Sequence, residues 1–129
     1  MTARTSEIGK KRASAKTAKN KATALHSKIV RARGRCEACQ GSEPLQCAHI
    51  VSRRFSATRT RLDNAFCLCA GCHMRFTEWP LEFAQFTIGR IGQKHYEELR
   101  YSAYNGTAPD WHKEVERLSA IWADIEDSF

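Results

Sequence analysis

Two matched cysteine pairs, Cys36-x-x-Cys39 and Cys69-x-x-Cys72, constrain the fold of this chain more than any other feature. A CxxC turn can point two thiolates at one ion, and two such turns complete the tetrahedral ligand set of structural zinc. A chain of 129 residues buries only a modest core, so zinc binding would add substantially to its folding free energy. We therefore expect one structural zinc ion, bound by Cys36, Cys39, Cys69 and Cys72.

The segment between the two pairs is longer than a simple zinc ribbon requires. Strand-like runs at 45–51 and 65–69 flank a polar stretch, which predicts an antiparallel hairpin with a long loop. The two remaining cysteines, Cys47 and Cys67, fall one on each strand, and we interpret them as small buried side chains facing each other. Cys67 and Cys69 are both near enough to the turn to bind the ion, and the repeated CxxC spacing favours Cys69.

Helices are predicted on both sides of this segment. Apolar residues recur at helical spacing over 24–33 and stop before Gly34. A second helix is expected to start after Cys72, and Pro80 suits the first position of a third. A fourth ends near residues 105–106, and Asp110 can cap the last one. The pattern predicts an α+β protein.

Positive charge is concentrated at the start of the chain. Residues 1–35 contain eleven Lys and Arg against one acid, a net +10, whereas residues 36–129 carry a net −3. A basic segment on a near-neutral body favours a polyanionic partner, usually nucleic acid, although a solubilising tail is the alternative. We predict three regions: a basic flexible arm at 1–24, a core at 25–78, and a helical region at 79–129 that packs on the core or on a partner.

The sequence also bears on location. No stretch of about 18 apolar residues is present, and the N-terminus lacks the apolar run of a secretory signal. An acid-poor N-terminus of this kind is also typical of organellar transit peptides, as a minor alternative. We expect a cytoplasmic protein without a membrane partner, in a reducing compartment where six cysteines favour metal over disulfides.

Three polar residues lie between and beside the zinc pairs: His49 in Cys-Ala-His-Ile-Val-Ser-Arg-Arg, Asn64 in Leu-Asp-Asn-Ala-Phe, and His73 in Cys-Ala-Gly-Cys-His. Singly, they are explained as a core histidine, a turn residue and a spare zinc ligand. In this order and spacing they resemble the HNH (His-Asn-His) nuclease motif in its ββα-metal form, with zinc-binding cysteines around it. The similarity is greatest to small phage HNH endonucleases and NinG-like phage recombination proteins, over roughly residues 25–77.

The resemblance implies a metal-dependent DNA endonuclease with a small ββα-metal core. Phosphodiester hydrolysis needs a base for the attacking water and a Lewis acid at the phosphate. His49 would be the general base and His73 would bind the catalytic ion, Mg²⁺ or Mn²⁺. Asn64 would either hold the His49 loop or give an oxygen to that ion. DNA is the implied partner, with phage packaging or recombination proteins, in the host cytoplasm.

Two positions depart from the richest family sites. Ala48 stands where many members have an acid or a second histidine before the base, and Thr77 stands where a further histidine is common. Asp63, Asn64 or a DNA phosphate would then complete the metal shell. The alternatives are a non-catalytic zinc-knuckle DNA-binding module, or an accessory protein whose helical tail docks on a larger machine.

Four arginines lie in the loop between the strands: Arg53, Arg54, Arg59 and Arg61. The planar guanidinium is a good phosphate ligand, so these side chains are candidates for contacts with the DNA backbone. The alternative is an exposed charged loop with no specific role. Nothing in the sequence indicates base-specific recognition.

Overall fold

The computed structural model describes the backbone of residues 3–129 and the side chains from Gly9 onward. Within this part of the chain are five α-helices and a two-stranded sheet, which confirms the predicted α+β class. The elements are α1 (Ala3–Arg31), β1 (Leu45–His49), β2 (Ala65–Cys69), α2 (Ala70–Glu78), α3 (Pro80–Ile91), α4 (Gln93–Asn105) and α5 (Trp111–Asp127), with a 3₁₀ turn at Leu62–Asn64.

The segment predicted as a flexible arm is helical from Ala3 and continuous with the helix predicted over 24–33. Its second half packs against α5, where Ala18 and Ala22 are buried. Alanine favours the helix and lets another helix approach closely, which is why this apolar-poor stretch still packs. The helix ends at Arg31, and Gly34 follows with a φ of 86°, a left-handed conformation that glycine adopts without strain.

The strands pair antiparallel with Cys47 opposite Cys67 and His49 opposite Ala65. The predicted facing of the two spare cysteines is therefore confirmed. Strand β2 has the predicted bounds, but β1 ends at His49, two residues earlier than expected. The difference arises because the Val51 N–H donates to Asn64 Oδ1 and the Val51 carbonyl accepts from Asn64 Nδ2, so neither group bonds to a neighbouring strand.

Both faces of the small sheet are covered. On one face, Ala65 and Cys67 of β2 pack against Val30 of α1. On the other face, Phe66 and Leu68 pack against α2 and α3, where three phenylalanines from the two helices meet Phe66 edge-on or stack with one another: Phe76, Phe83 and Phe86. The sheet therefore lies between α1 and the α2–α3 pair.

Local signals set most of the remaining boundaries. Helix α2 begins at Ala70, slightly earlier than predicted, with the Cys69 sulfur accepting from the Cys72 N–H. Pro80 is at the start of α3, and the Asp110 carboxylate accepts two N–H groups at the start of α5, as predicted. Leu118 of α5 is fully buried in the cluster with α1. Over the described residues, no helix has both the length and the apolar character to cross a membrane.

Candidate active site and metal centre

The four cysteines of the two CxxC turns meet at one point, with their sulfur atoms all within 4.8 Å of one another. Cys36 and Cys39 come from the turn after α1, Cys69 ends β2, and Cys72 lies in the first turn of α2. Backbone N–H groups point at the sulfurs: Cys39 N–H at Cys36 Sγ (3.5 Å) and Cys72 N–H at Cys69 Sγ (3.4 Å). Such N–H donors favour the thiolate form that binds metal.

The cluster fits a tetrahedral ion. Zinc–sulfur bonds of about 2.3 Å at tetrahedral angles place two sulfur ligands about 3.8 Å apart. The Sγ atoms of Cys39 and Cys69 are 3.7 Å apart. Burial raises the pKa of the Cys36 thiol, but the N–H groups around it, led by that of Cys39, outweigh burial and bring the pKa to about 6. The four cysteines could therefore hold a metal ion such as zinc, as their spacing predicts.

His49 lies at the end of β1 and is only half buried. Its Nε2 is 2.9 Å from the main-chain oxygen of Arg59, so this nitrogen carries the ring proton and Nδ1 keeps a free lone pair. Burial lowers the pKa of His49, and the positive charges of Arg59 and Arg53 lower it further against the effect of the carbonyl. The imidazole is therefore neutral at pH 7.

Asn64 is completely buried, and all its side-chain bonds go to the loop after His49. Its Oδ1 accepts the Val51 N–H (2.8 Å), while its Nδ2 donates to the carbonyls of Val51 (3.1 Å) and Thr58 (3.0 Å). Of the two roles predicted for Asn64, this geometry supports holding the loop. The predicted role as a ligand of the catalytic ion is not favoured by this geometry, because the side-chain oxygen is buried and accepts the Val51 N–H.

His73 is in the second turn of α2, beside the strand that carries His49. Its Nδ1 is 2.7 Å from Oε1 of Gln46, which leaves Nε2 without a partner among the described residues. Metal-binding histidines commonly donate their second N–H to an oxygen in this way. Gln46, on the exposed side of β1, was missed in the sequence, where a lone glutamine gives no signal.

His49 and His73 open into the same cleft, which has a volume of about 460 Å³. Its walls come from α1, β1, the following loop and α2. The lining residues are Thr23, Ser27, Cys47, His49, Ser52, Arg53 and His73. Two imidazoles, hydroxyl groups and one guanidinium make this a polar cleft suited to an anion.

The four loop arginines fall into two groups. Arg53 lines the cleft and Arg54 is exposed, with its guanidinium over the Phe55 ring. Arg59 instead donates to Thr23 Oγ1 and to the Arg53 carbonyl, both at 2.8 Å. Arg61 forms ion pairs with Asp63 and Glu98. Arg53 and Arg54 are therefore the more exposed of the four, whereas Arg59 and Arg61 are partly engaged within the protein.

Asp63 is not placed to complete a metal shell. Its carboxylate accepts from Arg61 (2.7 and 2.9 Å) and from His95 (2.9 Å), and Arg61 also pairs with Glu98. Hydrogen bonds from Arg61, followed by His95, lower the pKa of Asp63 to about 2 against the effect of burial. The two positions that depart from the richest family sites, Ala48 and Thr77, do not add a metal ligand either. Ala48 is buried and has no polar side-chain atom, and Thr77 Oγ1 donates to the His73 carbonyl.

A buried histidine next to His49 was not anticipated from the sequence. His26 of α1 is fully buried, and its ring lies 5.1 Å from that of His49. A signal was present in the sequence, because Ala22, His26 and Val30 are spaced by four residues and all are fully buried. The predicted helix over 24–33 rested on its apolar residues, which do not include His26.

The chain matches no protein-family model, no curated protein and no solved structure.

Proposed function

We propose that the protein is a metal-dependent endonuclease that hydrolyses DNA phosphodiester bonds. The observation that carries the proposal is the shared cleft, into which His49, His73 and Arg53 all open. Hydrolysis of a phosphodiester needs a base for the attacking water, a Lewis-acidic metal ion and positive charge near the phosphate. His49 could be the base, His73 could bind the metal ion, and Arg53 could supply the positive charge. The β1–β2 hairpin followed by α2 supports a ββα nuclease core.

His49 is the proposed general base. With its proton on Nε2 and bonded to the Arg59 carbonyl, its Nδ1 lone pair is available to accept a proton from water. The pKa of His49 is lowered by burial and by nearby arginines, so the imidazole is unprotonated under neutral conditions. Asn64 serves as a positioning residue, because its three bonds fix the loop that supplies Arg53.

His73 is the proposed protein ligand of the catalytic ion, Mg²⁺ or Mn²⁺, through Nε2. Its Nδ1–H bond to Gln46 sets the ring orientation. Such an ion would supply Lewis-acid activation of the phosphate. With Asn64 and Asp63 engaged elsewhere, water and phosphate oxygens would fill the rest of its shell, which suits hard cations.

DNA is the proposed polyanionic partner. Exposed lysines and arginines lie along α1, among them Lys10, Lys11, Arg12 and Lys16. Thr23 and Ser27 of the same helix line the cleft, so the basic helix leads directly to the proposed catalytic residues. Contacts of this kind bind the phosphate backbone without reading sequence.

A DNA-binding module without catalysis is the second candidate. The observation in its favour is that Ala48 and Thr77 leave His73 as the one protein ligand we can assign to the catalytic ion. The four-cysteine cluster and the basic helix would serve binding equally well. Packaging or recombination of phage DNA is the process that the resemblance suggests for either candidate.

Plasmid nicking with Mg²⁺ or Mn²⁺ separates the two candidates. We expect the zinc-loaded wild-type protein to nick DNA only when one of these ions is added. His49→Ala should lower the rate by about 100- to 10,000-fold, the usual contribution of general-base catalysis. His73→Ala should lose activity as well, but with partial recovery at raised Mn²⁺.

His112→Ala is the matched control, since His112 is an exposed histidine on α5, away from the cleft. It should nick DNA at the wild-type rate. If the wild-type protein binds DNA but does not nick it with any divalent ion, the binding-module candidate replaces the nuclease. If His49→Ala nicks as fast as the wild type, the assigned base is wrong.

A further inference from the structure

A second group of side chains that could hold a metal ion is separate from the four-cysteine cluster. His26 of α1 and Cys47 and His49 of β1 each offer a ligand atom, and these three atoms lie within 4.8 Å of one another. Two of the residues, Cys47 and His49, line the cleft. The group is therefore buried on the α1 side and reachable from solvent on the other.

The two imidazoles are oriented alike. His26 Nε2 is 2.8 Å from the Arg61 carbonyl, and His49 Nε2 is 2.9 Å from the Arg59 carbonyl. Each ring therefore carries its proton on Nε2 and keeps the lone pair on Nδ1. An N–H bonded to a main-chain carbonyl, with the other nitrogen free, is the usual arrangement of a metal-binding histidine.

The distances suit a transition-metal ion. His26 Nδ1 is 3.7 Å from Cys47 Sγ, which is a weak partner for the only free nitrogen of a fully buried ring. Zinc bonds of about 2.0–2.1 Å to nitrogen and 2.3 Å to sulfur at tetrahedral angles give an N–S separation of about 3.6 Å. Two nitrogens and one sulfur select zinc or a similar ion over Mg²⁺.

We propose that His26, Cys47 and His49 form a second metal site, which binds Zn²⁺ or a similar borderline divalent ion with one position open to the cleft. Binding releases the Cys47 thiol proton to solvent. A metal ion in this site would use the Nδ1 lone pair of His49.

This has a consequence that rests on the proposed nuclease function. The same lone pair would accept the proton from water, so excess zinc should inhibit cleavage by occupying it.

Cobalt titration tests the site without reference to activity. The probe is Co²⁺ added to full-length protein that already holds one equivalent of zinc, which Co²⁺ displaces poorly. We expect one further equivalent to bind, with the near-ultraviolet charge-transfer band of a cobalt–thiolate bond. Cys47→Ala and His49→Ala should each lose this band. Because the two substitutions remove different ligands, a folding defect in one variant leaves the other as a test.

Cys67→Ala is the matched control, because Cys67 faces Cys47 across the sheet but belongs to neither metal group. It should bind the second cobalt with the same band as the wild type. A wild-type protein that shows no second thiolate band, or a Cys47→Ala protein that shows the full band, overturns the proposal.

The nuclease assay tests the consequence separately. Each protein is compared with its own cleavage rate without added zinc. Zinc beyond one equivalent should inhibit the wild type and Cys67→Ala. Cys47→Ala should need at least about tenfold more zinc for the same inhibition. If cobalt binds as expected but no form cleaves DNA, the metal site stands and the nuclease function fails. If the wild type cleaves DNA but no second cobalt binds, the nuclease stands and the metal site fails.

Discussion

At the residue scale, Asn64 illustrates how a polar side chain can determine a loop. Its amide is fully buried and makes three bonds, to both backbone groups of Val51 and to the Thr58 carbonyl. Buried amides without partners are costly, so this complete set of bonds fixes one path for the chain after β1. The position of His49 and Arg53 in the cleft depends on that path.

Asn64→Asp should destabilise the protein and reduce nicking. The substitution keeps an oxygen for the Val51 N–H but turns the two donor positions into a charged oxygen facing two carbonyls. The loss should be at least about 1–3 kcal/mol in the free energy of unfolding, measured by denaturant titration. Asn20→Asp, at an exposed position of α1, should change it by less than about 0.5 kcal/mol. Equal stabilities of the two variants would contradict the role given to Asn64.

At the element scale, the four-cysteine cluster connects the turn after α1, the end of β2 and the start of α2. The turn is held further because the Glu37 side chain accepts the Cys67 N–H at 2.7 Å and the Glu37 N–H donates to the Cys67 carbonyl at 2.8 Å. The cluster therefore fixes how α1 and α2 approach the sheet from opposite sides.

Removing the metal from this cluster should unfold the protein. The binding free energy of structural zinc, about 10–16 kcal/mol, matches or exceeds the whole stability of a small domain, about 5–15 kcal/mol. We expect Cys36→Ser or Cys72→Ser to lose one zinc by elemental analysis and most of the helical circular dichroism. Cys67→Ser should keep both. A folded wild-type sample without zinc would refute the prediction.

Helix α5 is attached to the loop between the strands through a partly buried carboxylate. Glu114, whose side chain is 16% exposed, accepts from Arg117 and from the Thr60 hydroxyl, and Arg117 also donates to the Thr60 carbonyl. Hydrogen bonding from Arg117 lowers the pKa of Glu114, with a smaller contribution from Thr60 and against the effect of burial. The ionised carboxylate therefore stabilises the folded state.

Glu114→Gln should reduce the free energy of unfolding by about 1.5–3 kcal/mol at pH 7. Because the pKa of Glu114 is lower in the folded state, its contribution is fully present above the ordinary value of 4.5 and is lost as the pH falls below it. The difference from wild type should stay constant from pH 7 to 5 and shrink at lower pH. Glu116→Gln, at an exposed position of the same helix, is the control. A difference that grows on acidification would contradict the sign.

At the scale of the whole molecule, charge is segregated along α1. The first half of this helix carries exposed basic residues, and its second half is covered by α5, with the ammonium groups of Lys19 and Lys28 over the rings of Trp111 and Trp122. Removing residues 1–20 would also remove the buried Ala18. Neutralising charges is therefore a cleaner test of DNA binding than truncation.

Replacing the exposed residues Lys10, Lys11, Arg12 and Lys16 by glutamine should weaken DNA binding and flatten its salt dependence. Each lost phosphate contact lowers the slope of log K against log salt by about 0.9, so the slope should fall by up to about 3.6. Thermal stability should change little. Lys94→Gln with Arg100→Gln, on α4, should leave the slope unchanged. An unaltered slope in the α1 variant would exclude this helix from the interface.

The sequence by itself determined the features that depend on neighbours along the chain. The bounds of β2, the proline at the start of α3 and the Asp110 cap follow from local propensity and hydrogen bonding. The four-cysteine cluster followed from ligand spacing, because a CxxC turn positions two sulfurs almost independently of the rest of the fold.

Only the tertiary structure decided which of the polar residues are free to act. His26 meets His49 because α1 crosses one face of the sheet. Arg59, Arg61 and Asp63 are each engaged by a partner distant in sequence, which is Thr23, Glu98 and His95 in turn. The burial of the second half of α1 likewise depends on α5, which lies about ninety residues further along the chain. Composition and spacing show which groups a chain carries, but burial and pairing are set by long-range packing, so the cleft could not be assembled from the sequence alone.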